Sequence, residues 1–308
     1  MSKLANILFL VLSATLLMPR FAAAQTVSGD VETRTDIEYV VHGGQSLRGT
    51  LYTPRAPGKY PVVVGIHGGG WQIGSAASYR YWGPWLAARG YAVFSINYRF
   101  SKPAQKSFPE AVQDVRAAVQ FLRGKAAELK IDPDRIALMG DSAGGHLASL
   151  AALAGEHATF RDGNKGDPYG ALSSRVKAVI SFYGVYDMAQ QWRHDQMSRP
   201  RDHITEKFLG ASLVDDRRVY FDASPLSYVS QANNAVSFLI NWGTEDDIVD
   251  PKAQGEMFVE ALKQARYYVR SVIVTGAPHF WASDPVDEPN SHGGFVAPRL
   301  LRFLQARL

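Results

Sequence analysis

The sequence predicts an α/β fold, a mostly parallel sheet of eight strands with helices on both faces, and three observations carry that expectation. From residue 61 onward, short apolar runs alternate with segments of helical periodicity, the order that crossover helices impose on a parallel sheet. Three of those runs, 61–66, 91–96 and 135–139, are apolar at consecutive rather than alternate positions, as strands covered on both faces are. The 308 residues are 46% hydrophobic and 20% charged, the composition of an ordinary globular chain with ample core material.

The elements follow in order. Lys3, the mostly apolar stretch Leu4 to Met18, Pro19, Arg20 and the small run Ala22-Ala23-Ala24 read as a secretory signal peptide over residues 1–24. The apolar stretch is shorter than the ~20 residues that cross a bilayer, and Asn6 and Ser13 interrupt it. Residues 25–308 read as one domain, without repeat or low-complexity linker. Runs 37–41 and 47–52, joined by His42-Gly43-Gly44-Gln45 and ended by Pro54 and Pro57, predict an antiparallel hairpin at the start. Tyr79, Tyr81, Trp82 and Trp85 form an aromatic patch expected in the core. Ala111, Val115, Ala118, Val119 and Leu122 make one apolar stripe at helical spacing over 109–124, with Gly124 as a C-terminal stop. Further strands are expected at 176–182, 236–241 and 268–274, with helices at 252–265 and 296–307. The polar and aromatic stretch 185–235 is too long for a simple connection and reads as an insertion, a cap over the sheet's end. Its charged and aromatic runs 191–195 and 199–202 fit a cleft lining and a solvated surface equally.

Composition excludes several chemistries. There is no cysteine, so disulfides, thiolate metal sites and a thiol nucleophile are out, and a chain with no thiol to oxidise suits the periplasm or the exterior. A formal net charge of +4 is too small to suggest a nucleic-acid-binding surface. The run 162–167 superficially resembles a calcium loop, but Asp167 stands where glycine is required and no glutamate closes it; it reads as a surface turn, as does Asp132-Pro133-Asp134. No metal or other cofactor is expected.

The chemistry lies at three strand ends. Run 135–139 leads into Gly140-Asp141-Ser142-Ala143-Gly144-Gly145 and then a small-residue helix, the G-x-S-x-G elbow in its strand–turn–helix setting. A sharp turn strains the serine backbone, and Gly140 and Gly144 lack the Cβ atoms that would collide. Ser142 is therefore the expected nucleophile. Run 61–66 ends in His67-Gly68-Gly69-Gly70-Trp71, where successive glycines let backbone N–H groups converge on the negative oxygen formed when an acyl carbonyl is attacked.

HGGGW together with GDSAGGHLA resembles the α/β-hydrolase fold over roughly residues 37–308. The likeness is to its hormone-sensitive-lipase-like and feruloyl- and acetyl-esterase-like branches, which also include kynurenine formamidases. The resemblance implies the N–H groups of Gly69, Gly70 and Ala143 as the oxyanion hole and a structural rather than basic role for His67. In this fold the acid and then the histidine follow the serine along the chain. The family pattern places the acid on Asp246 within Gly243-Thr244-Glu245-Asp246, with Asp247 the neighbouring alternative. It places the base on His279 within Gly276-Ala277-Pro278-His279, with His292 a weaker candidate. Asp250-Pro251 departs from the family, which often has Pro directly after the acid loop's Val.

Trp71 and Trp281 are expected to bring aromatic surface to the substrate, with core packing as the alternative. The implied activity is a serine esterase acting on small carboxylic esters. Its substrate is a small molecule and neither nucleic acid nor a stable membrane span is involved; oligomeric state stays open. Alternatives are an amidase or aryl-formamidase using the same three residues, or a noncatalytic binding protein on this fold.

Overall fold

A computed structural model describes residues 30–162, 166–288 and 290–308; the expected leader and the centre of the 162–167 turn lie outside them. In chain order the strands are β1 (Val31–His42), β2 (Gln45–Pro54), β3 (Tyr60–Ile66), β4 (Ala92–Ile96), β5 (Ile131–Asp141), β6 (Ala178–Phe182), β7 (Ser237–Gly243) and β8 (Val269–Val274). They form one sheet in the order β1-β2-β4-β3-β5-β6-β7-β8. The pairs β1–β2 and β2–β4 are antiparallel and every later pair is parallel, as the opening hairpin and the alternation after it require.

Two strands outrun their apolar cores. β1 begins at Val31 because pairing, not hydrophobicity, extends it: Val31 lies opposite Pro54 and Arg34 opposite Leu51, with the ladder slipping between Arg34 and Ile37. β5 begins at Ile131, opposite Tyr60, and the register then jumps to Ile136 opposite Val62. The jump accommodates Asp132-Pro133-Asp134, where the Asp134 N–H donates to Asp132 Oδ1 at 3.0 Å, so the expected turn survives as an irregularity inside the strand.

The helices are α1 (Trp82–Ala87), α2 (Glu110–Gly124), α3 (Ala143–Ala154), α4 (Ala158–Arg161), α5 (Met188–Ser198), α6 (Ile204–Leu209), α7 (Arg217–Asp222), α8 (Met257–Gln264) and α9 (His292–Arg307). Successive strand residues point to opposite faces, and the core divides accordingly. Val62, Val64, Leu138, Val179 and Ile240 pack with α2, α3 and α8, whereas Val63, Ala137, Met139, Ile180 and Leu239 pack with α1 and α9. Trp82, Trp85 and Tyr79 are buried on the second face, so the aromatic patch is core. One wide π turn, Lys252–Glu256, precedes α8. α9 starts earlier than its apolar stripe because Ser291 caps it, accepting from the Gly294 N–H. Between β6 and β7, helices α5, α6 and α7 carry Met188, Phe208, Leu209 and Tyr220 into the α2/α3-side core, so this stretch is docked on the domain by its own apolar residues.

Candidate active site

After β3 the chain crosses to β4 on one side, and after β5 it crosses to β6 on the other. The carboxyl ends of β3 and β5 therefore flank a crevice, the place where open α/β sheets bind ligands. Ile66 and Gly140 are paired across it. Ser142, just past β5, has φ 52° and ψ −120°, a conformation that persists only where its surroundings over-determine it. Its N–H donates to Phe182 O at 2.9 Å, and its carbonyl accepts the His146 N–H at 3.0 Å to open α3. A Cβ on Gly140 would lie 2.2 Å from Gly144 O, and one on Gly144 would lie 1.9 Å from Ile66 O. Bare backbone on both sides is what the strained serine rests on.

Asp246 follows β7 and His279 follows β8, and the fold brings both to Ser142. His279 Nε2 is 3.0 Å from Ser142 Oγ, and His279 Nδ1 is 2.7 Å from Asp246 Oδ2. With its Nδ1–H donated to the carboxylate, the ring presents Nε2 as the acceptor for the serine hydroxyl. Asp246 Oδ1 accepts from the N–H groups of Ile248 and Val249 at 3.0 and 2.9 Å, which fixes the carboxylate. Below the imidazole lies Tyr183, ring centroids 4.4 Å apart. The alternatives lie elsewhere. Asp247 is exposed, with its main-chain oxygen accepting from His194 Nε2 at 2.8 Å. His292 begins α9 with its ring against Trp281, and it does not line the cleft at Ser142.

Gly69 and Gly70 have φ 112° and 57°. The Gly69 carbonyl turns back to accept from the N–H groups of Gln72 and Ile73 at 3.0 and 3.1 Å. Among the described residues, the N–H groups of Gly69, Gly70 and Ala143 donate to no protein acceptor. Asp141 holds the loop from below, accepting the Gly68 N–H at 3.1 Å, and its burial raises the carboxyl to about 7. His67 is fully buried, stacked on Tyr98 at 4.5 Å, and its Nδ1 contacts Gly68 O at 2.7 Å. Burial lowers it to about 4, so it is a neutral strut and not a base at the site.

Trp71 lines the cleft but is only 2% exposed. Its indole stacks on Phe208 at 4.5 Å, and its Nε1–H donates to His146 Nδ1 at 3.1 Å. That bond leaves the other His146 nitrogen to donate to Ala223 O at 2.8 Å. His146, buried and held neutral with its pKa lowered to about 4 by desolvation, thus ties the glycine loop, the helix after Ser142 and the stretch between β6 and β7 together. The sequence offered only a weak sign of it, one polar residue in the small-residue run after Gly145.

The expected substrate contact of Trp281 is corrected. Trp281 is buried against Phe182 and Tyr183, centroids 5.4 Å from each, within the α1/α9-side core, and does not line the cleft. Its neighbour Phe280 does, with φ 72° and 59% exposure. A left-handed residue between His279 and Trp281 turns the chain so that successive rings diverge.

The cleft holds about 340 Å³ around Ser142, His279, Gly69 and Gly70. Its apolar walls include Ile73, Val185, Ile204 and Phe280, and the inserted stretch adds Gln191, Asp195 and Arg199. Runs 191–195 and 199–202 thus put Gln191, Asp195 and Arg199 in the lining. A larger groove of about 780 Å³ near Arg123, Glu156 and Arg175 contains none of the aligned groups, so size alone does not locate the chemistry.

The profile of the BD-FAE family matches residues 50–262. Esterase LipQ of Mycobacterium tuberculosis is 33% identical over 237 residues, spanning 75% of this chain and 53% of that protein. The probable carboxylic ester hydrolase LipM of the same organism is 34% identical over 212 residues, 67% of this chain and 46% of its own length. This chain therefore spans about half the length of these relatives. Among solved structures, esterase 2 of Thermogutta terrifontis superposes with a TM-score of 0.71 at 23% identity, over 90% of this chain and 94% of that one. That likeness shows the α/β-hydrolase fold.

Proposed function

The chain belongs to the BD-FAE family, and on that premise we propose that it is a serine hydrolase of small carboxylic esters, acting through an acyl-enzyme on Ser142. The observation that carries the reading is His279 Nε2 at 3.0 Å from Ser142 Oγ with the ring's other nitrogen held by Asp246. Ser142 Oγ attacks the ester carbonyl while its proton passes to His279 Nε2. Asp246 keeps the imidazole in the tautomer that can accept this proton and stabilises the imidazolium that forms. The N–H groups of Gly69, Gly70 and Ala143 point their unspent donors at the developing oxyanion, a contribution of roughly 10²–10³ in rate per donor. His279 then protonates the leaving alcohol, and water repeats the sequence to release the acid.

A cleft of about 340 Å³ favours small substrates with a short or aromatic acyl group, near the lower end of ligand-pocket sizes. Residues 25–308 are read as the hydrolase domain and 185–235 as its cap. Residues 1–24 are read as a leader that directs the protein to the periplasm or exterior, for which an exported product beginning at Gln25 is the check. The function is tested with p-nitrophenyl acetate: wild-type protein turns it over, and Ser142→Ala reduces kcat by about 10⁴-fold or more. Undiminished turnover by Ser142→Ala defeats the proposal.

A further inference from the structure

The cleft carries one polar feature that the acyl-transfer scheme does not use. In a wall shared with Val185, Ile204, Ile248 and Val249, Gln191 and Asp195 of α5 meet Arg199 just beyond it. Asp195 Oδ1 accepts from Arg199 Nη2 at 2.7 Å and from Gln191 Nε2 at 2.9 Å. The Ile248 carbonyl accepts from the same two nitrogens, at 3.3 and 2.9 Å. Two oxygens around Gln191 Nε2 decide the amide's orientation, since a flip would set oxygen against both. The guanidinium is consequently anchored through a single nitrogen. Arg199 Nη1 donates to no protein acceptor among the described residues, and the shielded Arg199 Nε and Gln191 Oε1 also lack partners. The side chain keeps 25% of its surface exposed. An arginine with donors to spare, on a largely apolar wall beside the reacting groups, is a hydrogen-bond donor awaiting a ligand oxygen.

We propose that Arg199 is a specificity-determining residue that favours uncharged esters carrying a second oxygen acceptor, a carbonyl, ether or hydroxyl, over hydrocarbon and carboxylate analogues. Charge decides between the last two classes. Arg199 and Asp195 cancel one another, and among the described residues the only other titratable one lining the cleft is His279, so no net positive charge awaits an anion. A carboxylate reaching Nη1 arrives beside Asp195 and meets like charge, whereas a neutral oxygen takes the same donor without that repulsion. The inference rests on the esterase reading above and names the substrates of that site.

Two matched series test it, each rate divided by the hydroxide-catalysed rate of the same ester. On the alcohol side tetrahydropyran-4-yl acetate is compared with cyclohexyl acetate. On the acyl side methyl 4-oxopentanoate is compared with methyl pentanoate and with monomethyl succinate. In at least one series the neutral oxygen-bearing ester has a kcat/KM about tenfold above its hydrocarbon partner, and monomethyl succinate ranks below methyl 4-oxopentanoate. In Arg199→Met the preference falls to within about twofold. The readout is a ratio within one preparation, so a partly unfolded variant does not distort it. Asp195→Asn/Arg199→Met, which leaves no unpaired charge, must lose the same preference. A wild-type ratio near one in both series, a ratio that survives both variants, or monomethyl succinate as the better substrate overturns the assignment while leaving the esterase reading intact. Turnover of none of these esters nor of p-nitrophenyl acetate removes the esterase reading and the assignment with it.

Discussion

Two buried histidine–aspartate pairs in this molecule have the same short contact and opposite prospects. His279 Nδ1 lies 2.7 Å from Asp246, and His42 Nδ1 lies 2.7 Å from Asp114. At His279 the second nitrogen faces a serine hydroxyl on the wall of a cleft. At His42 the second nitrogen is taken by Asp167 at 2.9 Å, and Arg99 Nη2 neutralises Asp114 at the same oxygen, 2.7 Å away. A carboxylate orients an imidazole in both places. Only the ring whose far nitrogen is left to a nucleophile can move a proton in a reaction, and the other ring is spent as a joint between the opening hairpin and α2.

The contrast is sharpened by the same substitution at both rings. His279→Gln should lower kcat by about 10⁴-fold or more with a small change in Tm. His42→Gln should leave kcat per folded molecule within about twofold and lower stability by about 2 kcal/mol, the scale of stranding a buried hydrogen-bonded group. Burial pulls the His42 pKa down, but the hydrogen bonds and charges of Asp114 and Asp167 outweigh it and the net shift is upward. A raised folded-state pKa gives stability that is complete below the ordinary histidine value and disappears as pH climbs through the folded one. The Tm gap between wild type and His42→Gln should therefore be widest near pH 6 and narrow toward pH 9. Loss of catalysis in His42→Gln at unchanged Tm breaks the comparison.

A smaller effect is expected one contact away from chemistry. His146 touches no reacting atom in this scheme; it positions Trp71 and so the glycine loop. His146→Leu should reduce kcat about tenfold while KM changes less than twofold, because loosened donors weaken transition-state binding first. His146→Asn retains a donor and an acceptor and should recover part of the loss. A parallel fall in stability with kcat unchanged per folded molecule assigns His146 to packing alone.

Much of this was legible beforehand, for definable reasons. Strands β3 to β5 are apolar on both faces because helices cover both, and the residues after them stand at strand ends whatever the loops do. Ser142 could be read from its glycines because their missing Cβ atoms leave a local trace, and Asp246 and His279 through the family resemblance, whose acid and histidine segments follow the serine in the fold's chain order. The His146 tether could not, since its partners lie 75 and 77 residues away and a histidine in a small-residue helix has no signature of its own. The same holds for Arg199, whose anchor at Ile248 comes from the acid loop. For Trp281, adjacency to His279 in the chain is not adjacency in space, because a left-handed Phe280 sends the two aromatic rings to different sides.

The most direct test of the central claim is covalent. Incubation with a diethyl aryl phosphate followed by peptide mass spectrometry should give one adduct per chain, on the peptide containing Ser142, with loss of ester turnover in step and slow labelling in His279→Gln. Ester turnover that persists after full labelling, or an adduct on any other residue that tracks the loss of activity, contradicts the account.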